Sequence, residues 1–287
     1  MNERYPRLKH FVALTRFDRP IGTYLLLWPT LCALWIAAEG WPGWHLFLVF
    51  TLGTVLTRSA GCIVNDLADI KFDGQVKRTR NRPLVTGRVD PMEAILLASG
   101  ILFICLLLVL TTNGYTVMLA AGAVVVAVIY PLMKRYTYLP QAVLGIAFSM
   151  GIPMAFTAVN NEIDNVAWLL LIANLLWVVA YDTEYAMVDR DDDIRLGIKS
   201  TAILFADLDR PMIGILQIST LITLLLVPRQ IEMNYWYYTG ICLAAGLFIY
   251  QQYLIRHRSR EGCFAAFLNN HWLGLALFVG IVLNYSF

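Results

Sequence analysis

The chain has 287 residues, of which 59% are hydrophobic and only 15% charged, whereas soluble domains hold about a quarter charged residues. Its mean hydropathy of +0.62 excludes an ordinary soluble protein and points to an integral membrane protein. The formal net charge of +2 discriminates little; the placement of the charges discriminates more. Cys32, Cys62, Cys105, Cys242 and Cys263 are scattered, with no CxxC pair, which argues against a disulfide framework or a zinc site. The four dispersed histidines suggest no catalytic role. The opening MNERYPRLKH is polar and lacks a following short apolar region with a small-residue cleavage site, so no signal peptide is expected.

A spanning helix needs about 20 mostly apolar residues. Nine segments are expected: 20–38, 43–64, 92–112, 115–132, 139–159, 166–188, 211–228, 235–255 and 264–284. The chain is then one membrane domain, 1–287, with short connections. Lysine and arginine test the topology. Arg4, Arg7, Lys9, Arg16 and Arg19 precede the first segment. Lys71, Lys77, Arg78, Arg80, Arg82 and Arg88 follow the second, and Lys134 and Arg135 follow the fourth. Arg190, Arg195, Lys199 and Arg210 follow the sixth, and Arg256, Arg258 and Arg260 the eighth. With nine crossings, 20 of the 22 basic residues share one face. That face is expected to be cytoplasmic, with the N-terminus inside and the C-terminus outside.

The second and sixth segments run into acidic clusters. In NDLADIKFD, Asn65, Asp69 and Asp73 are spaced i, i+4, i+8, one stripe of a continuing helix. In YDTEYAMVDRDDDIRLGIKS, Asp189 and Asp193 are again i, i+4, and Asp182 lies seven residues before Asp189, on the same face. Asp191 and Asp192 point elsewhere. Stacked carboxylates repel each other, and a cation relieves that cost. All nearby donors are hard oxygens, which favours Mg²⁺ shared with substrate phosphates. Two such clusters at one face suggest Mg²⁺ ions gripping a diphosphate from both sides. The bland alternative is that both runs are solvated helix ends. The matched placement also hints at a diverged internal repeat of segments 1–4 and 5–8.

A diphosphate also needs protein cations. Arg78 and Arg82 lie just past the first cluster, Lys134 follows Tyr130 by four residues with Arg135 beside it, and Arg16 stands at the entry to the first segment. Arginine grips phosphate as a fork and lysine as a point charge. Each of these residues alone reads first as a topology signal; the loop after the second segment reads as more, because it interleaves spaced aspartates with basic residues. Arg58 differs: it sits two turns inside the second segment, on the face of Asn65. An intramembrane arginine is costly and functional by default, and this one suits an anionic group such as a carboxylate.

With NDLADIKFDGQVKRTRNRPL, YPLMKRYTYLPQ, GIPMAF, YDTEYAMVDRDDDIRLGIKSTAILF and RFDRPIGTYLLLWPT in view, the chain resembles the UbiA prenyltransferase superfamily over nearly its full length, and its hydroxybenzoate branch in particular. The resemblance implies an all-α integral membrane protein of nine transmembrane helices around a central cavity, with a cytoplasmic cap from the loops after segments two and six. It implies Mg²⁺-diphosphate at Asn65, Asp69 and Asp73 and at Asp189 and Asp193, with Asp182 facing the same cavity. Arg16, Arg78, Arg82, Tyr130 and Lys134 match diphosphate-holding positions. Arg58 matches a position near the aromatic acid, with Arg135 as a second candidate.

The implied reaction is transfer of a polyprenyl group from polyprenyl diphosphate to 4-hydroxybenzoate, a step of ubiquinone biosynthesis in the bacterial inner membrane. Cation-neutralised diphosphate leaves, the allylic cation forms, and the ring carbon ortho to the hydroxyl captures it. Asp182 or the released diphosphate takes the ring proton. The site must exclude water, and glycine and proline in GIKS and NRP suit an ordered cap. Phe148, Met150 and Met154 are expected to line the cavity. The partners are the two substrates and membrane lipid; no nucleic-acid or protein partner is expected. Two alternatives stay open: another UbiA-type aromatic or haem prenyltransferase, and a cation-coupled transporter. A transporter would place its ionisable residues near the bilayer midplane on broken helices, whereas here they gather at one face.

Overall fold

The computed structural model describes residues 7–75 and 78–287, with the side chain of Phe72 outside the description. Arg4 and Lys77, counted above among the basic residues of one face, lie outside the described residues. The described chain is helical: α1 (Leu8–Leu14), α2 (Ile21–Ala37), α3 (Gly43–Asp73), α4 (Pro91–Val109), α5 (Gly114–Met133), α6 (Pro140–Ser149), α7 (Gly151–Asn160), α8 (Asn165–Leu196), α9 (Thr201–Phe205), α10 (Asp209–Leu226), α11 (Tyr235–Leu254) and α12 (Arg260–Ser286).

Local chemistry sets many of the boundaries. Asp90 opens α4 with a capping box: its carboxylate accepts from Met92 N at 2.8 Å, while Glu93 accepts from Asp90 N at 3.1 Å, and Pro91 takes the first helical position. Asn113, Asp164, Asn234 and Ser259 cap α5, α8, α11 and α12 in the same sense, side-chain oxygens taking up the first free N–H groups. Gly197 ends α8 at φ +68°, a left-handed turn that glycine adopts without strain.

Seven helical stretches among the described residues are long and apolar enough to cross a membrane: Gly43–Lys71, Pro91–Val109, Gly114–Met133, Pro140–Asn160, Asn165–Leu196, Thr201–Arg229 and Arg260–Ser286. The first expected segment is realised as α2, an apolar helix of 17 residues. The eighth is α11, a 20-residue helix whose ends carry Tyr235, Tyr237, Tyr238, Gln251, Gln252 and Tyr253, which lower its hydropathy. The outward faces of α4, α5, α10 and α11 expose Leu96, Phe103, Met118, Ile218 and Ile249. Large apolar side chains exposed on four helices fit an integral membrane protein.

Three boundaries differ from the sequence expectation. The second segment continues nine residues past 64, so NDLADIKFD is the last part of α3. The sixth continues past 188 to Leu196, so the second aspartate run belongs to α8. Hydropathy ends where apolar side chains end, but a helix continues wherever its charges find partners. The fifth segment is divided between α6 and α7 at Met150. Pro153 lacks the N–H that would bond the Ser149 carbonyl, which frees that turn to bend. α2 packs against α3, α7 and α12, and α8 packs against α6, α10 and α12. The ends of α3, α5 and α8 are thereby gathered around one interior space.

Candidate active site

A cavity of ≈ 1370 Å³ opens between these helices. Four-residue periodicity places its polar lining. On α3, Thr57, Gly61, Asn65, Asp69 and Asp73 follow one another at i, i+4 spacing, and all line the cavity. On α8, Tyr181, Tyr185, Asp189 and Asp193 do the same, with Asp182 beside them. Tyr130 and Lys134 reach in from the end of α5, Arg16 from the turn after α1, and Arg78 and Arg82 from the segment after α3. Phe148, Met150 and Met154 contribute apolar wall. The cavity then runs on between α3, α4 and α5 along Leu102, Leu106, Val109, Ala120, Val124 and Val128.

Ion pairs tie the two aspartate segments to the basic residues. Arg78 donates to Asp189 Oδ2 from Nη2 at 2.6 Å and from Nε at 2.9 Å. Its guanidinium lies over the Tyr185 ring, 4.7 Å from the centroid. Burial opposes the charge on Arg78, but Tyr185 and the hydrogen-bonded Asp189 more than offset it, so its pKa lies above the ordinary arginine value. Lys134 donates to Asp69 in a short ion pair. Arg82 Nη1 reaches Asp73 at 2.5 Å and Asp66 at 3.0 Å, and Arg16 Nη2 holds both Asp66 oxygens at 2.9 Å. Arg16 takes φ +60°, a left-handed conformation that ends α1.

Arg58 is different. Among the described residues its guanidinium has no ion-pair or hydrogen-bond partner. It lies 5.9 Å from the Phe148 ring centroid, packed so closely on Gly22 that a Cβ there would collide with it. Arg135, its alternative from the sequence, is exposed and is not in the cavity lining; its Nη2 donates to the Ala68 carbonyl at 2.7 Å. Neighbouring side chains at a helix end diverge by about 100°, so Lys134 turns inward and Arg135 does not. Asp191 and Asp192 point away from the cavity and pair with Arg260 at 3.3 and 3.2 Å.

Two cavity residues escaped the sequence reading. Asp66 is buried and holds both Arg16 and Arg82; its signal was the seven-residue spacing to Asp73, which puts both on one helix face. Tyr181 heads the stripe continued by Tyr185 and Asp189, and its hydroxyl is buried without a hydrogen-bond partner.

The donor set bears on a metal. Asp69 Oδ1 is buried and has no hydrogen-bond partner. No three His, Cys, Asp or Glu residues among those described converge into a ready-made metal cluster. Carboxylates few in number on each wall fit a hard cation that also takes phosphate oxygens and water, the usual habit of Mg²⁺, and do not fit an all-protein cage.

Comparison with known proteins shows the family and the fold. Residues 26–275 match the model of the UbiA prenyltransferase family. The 4-hydroxybenzoate octaprenyltransferase of Pseudomonas entomophila (strain L48) is 55% identical over 286 residues, covering 100% of this chain and 97% of that protein. The enzyme of the same name from Chromohalobacter salexigens is 55% identical over 278 residues, covering 97% and 93%. Among solved structures, the apo UbiA homologue from Aeropyrum pernix K1 superposes with a TM-score of 0.80 at 22% identity, covering 91% of this chain and 97% of that one. The UbiA homologue from Archaeoglobus fulgidus bound to GPP and Mg²⁺ gives 0.72 at 16% identity, covering 96% and 99%.

Proposed function

The chain belongs to the UbiA prenyltransferase family, and we propose that it transfers a polyprenyl group from polyprenyl diphosphate to the ring carbon ortho to the hydroxyl of 4-hydroxybenzoate. The observation that carries this is the meeting of both aspartate segments and their cations on one cavity that continues into an apolar groove. A diphosphate head and a long apolar tail need that combination, and full-length relatives bear the corresponding name.

In this reading Arg16, Arg78, Arg82, Lys134 and Tyr130 bind and orient the diphosphate. Each cation leaves a carboxylate partner and takes phosphate oxygens, as forks from arginine and a point charge from lysine. Asn65, Asp69 and Asp73 on one side and Asp189 and Asp193 on the other would hold Mg²⁺, which when bound neutralises the diphosphate charge that those carboxylates would otherwise repel. The cations stabilise the charge that grows on the leaving diphosphate as the allylic C–O bond breaks. The apolar walls and aromatic faces of Tyr185, Phe148 and Phe267 exclude water from the allylic cation and favour its charge. Arg58 receives the acceptor's carboxylate, and Asp182 takes the ring proton after the new C–C bond forms. Arg135 serves the outside of the cap.

The same reading gives the architecture a topology. The chain forms a single membrane domain over 1–287, with α2 and α11 joining the seven long apolar stretches to make nine crossings. The basic, aspartate-bearing end faces the cytoplasm of a bacterial inner membrane and the C-terminus the periplasm. The test is incubation of purified protein with geranyl diphosphate, 4-hydroxybenzoate and Mg²⁺, read by mass spectrometry, beside Asp69→Ala, Asp189→Ala and an EDTA control. A prenylated hydroxybenzoate that disappears in all three controls is expected. Turnover with a different aromatic acceptor only would replace the acceptor, and absence of turnover in folded protein would overturn the reaction.

A further inference from the structure

The end of α8 carries four carboxylates close together: Asp189, Asp191, Asp192 and Asp193. A helix C-terminus already holds partial negative charge, and carboxylates three or four residues apart on a helix repel one another. Such an end frays or turns unless it is held. Asp189 and Asp193 line the cavity, and among the described residues Asp193 has no ion pair. The other side of the same turns is tied down through three arginines, Arg190, Arg258 and Arg260. Between the first two stands Asp209, the first residue of α10.

Asp209 is fully buried. Its Oδ2 accepts from Arg190 Nη1 at 3.0 Å, and Arg258 Nε lies 2.9 and 3.1 Å from its two oxygens. The backbone N–H of Arg210 donates to Oδ1 at 2.7 Å. Arg258 also donates from Nη2 to the Asp207 carbonyl at 2.8 Å. It stands in the turn between α11 and α12 at φ +53°, a left-handed conformation that a residue with a side chain keeps only where its surroundings hold it. From the start of α12, Arg260 reaches Asp192 and Asp191 at 3.2 and 3.3 Å. Arg190, Asp209, Arg258 and Arg260 all stand outside the cavity lining. Arg190 follows Asp189 and so projects about 100° away round the helix. Tying Arg190 to a buried anion therefore sets the rotation at which Asp189 and Asp193 face inward. A buried ion cluster is a weak source of net stability; this one admits a single arrangement of α8, α10 and the turn before α12.

We propose that Asp209 is a positioning residue for the second aspartate wall: through Arg190, and braced by Arg258, it fixes the end of α8 so that Asp189 and Asp193 meet the metal together. This rests on the proposed reaction, in which those two aspartates would hold Mg²⁺, and adds to it the outer support of that wall.

The experiment compares wild type with Asp209→Asn, which keeps the shape and removes the charge, and with Arg258→Gln, which leaves the Arg190–Asp209 pair in place. Amide hydrogen exchange is followed in metal-free protein. Binding of Mn²⁺, the probe for Mg²⁺, is read by electron paramagnetic resonance with geranyl S-thiolodiphosphate, a slow-reacting analogue. In both variants exchange is expected to rise at residues 189–196 and not along α3, from local opening of the α8 end. Mn²⁺ affinity is expected to fall about tenfold or more, the size of a lost support behind a metal ligand, with KM for 4-hydroxybenzoate within about twofold. Asp209→Glu should recover part of both. General loss of folded protein lowers the number of Mn²⁺ sites and leaves their affinity as it was. Wild-type Mn²⁺ affinity in folded Asp209→Asn overturns the proposal, and should that variant not fold, the same result in Arg258→Gln does so. Mn²⁺ binding that survives Asp189→Ala and Asp193→Ala undiminished overturns the metal reading of the wall itself, so the two failures are distinct.

Discussion

Arg78 and Asp189 stand 111 residues apart in the chain and share two hydrogen bonds, at 2.6 and 2.9 Å. One belongs to the segment after α3 and the other to α8, so the pair fastens the first aspartate segment's loop across the cavity to the second. Arg78→Ala is expected to lower kcat/KM for prenyl diphosphate by about 10²–10³-fold, the size of a lost donor to developing charge. Arg78→Lys should recover only part of this, because an ammonium supplies neither the fork nor the stacking on Tyr185. Steady-state kinetics with geranyl diphosphate check both; an Arg78→Ala enzyme of wild-type efficiency would remove this residue from the diphosphate site.

Asp66 is a buried anion between two arginines, with side chains of Arg16 and Arg82 at 22% and 14% exposure. Asp66→Ala leaves both guanidinium groups short of a partner. A loss of about 3 kcal/mol is expected, seen as a lower unfolding midpoint in detergent. A cycle with Arg82→Ala should show coupling between the two substitutions. Additive losses would mean that Asp66 acts independently of Arg82.

Gly22 touches the Arg58 guanidinium, the free end of a flexible side chain. Gly22→Ala is therefore expected to push Arg58 aside while leaving the protein folded. KM for 4-hydroxybenzoate should rise several-fold, with that for geranyl diphosphate unchanged, and equilibrium binding of the acid should weaken in parallel. Equal effects on both substrates would place Arg58 elsewhere in the reaction.

At the break between α6 and α7, Gly151 lies against Thr30 of α2, whose hydroxyl already donates to the Leu26 carbonyl at 2.8 Å. A Cβ at 151 would collide with the Thr30 side chain, which cannot swing away without losing that bond. Gly151→Ala is expected to destabilise by about 1–3 kcal/mol, and Thr30→Ala in the same chain should recover much of it. Thermal unfolding of the single and double variants decides the matter.

The legible part of this protein in its sequence was whatever repeats along one helix. Apolar runs mark where spans begin, and four-residue spacing marks Asn65, Asp69 and Asp73 as one stripe and Asp189 and Asp193 as another. These follow from short-range geometry, which every helix shares. How far past 64 and 188 the helices run, to Asp73 and Leu196, was not legible, because it depends on partners brought from elsewhere: Lys134 at the end of α5, and Arg78 and Arg82 in the segment after α3. The inward turn of Lys134 and the outward turn of Arg135 likewise look identical as adjacent letters. Asp66 was passed over because its value lies in Arg16, 50 residues away. Tyr181 was passed over because nothing local distinguishes an unpartnered hydroxyl from a packed one. Sequence periodicity decides which residues share a face; only the packing of helices decides what that face meets, because partners are chosen by distance in space and not along the chain.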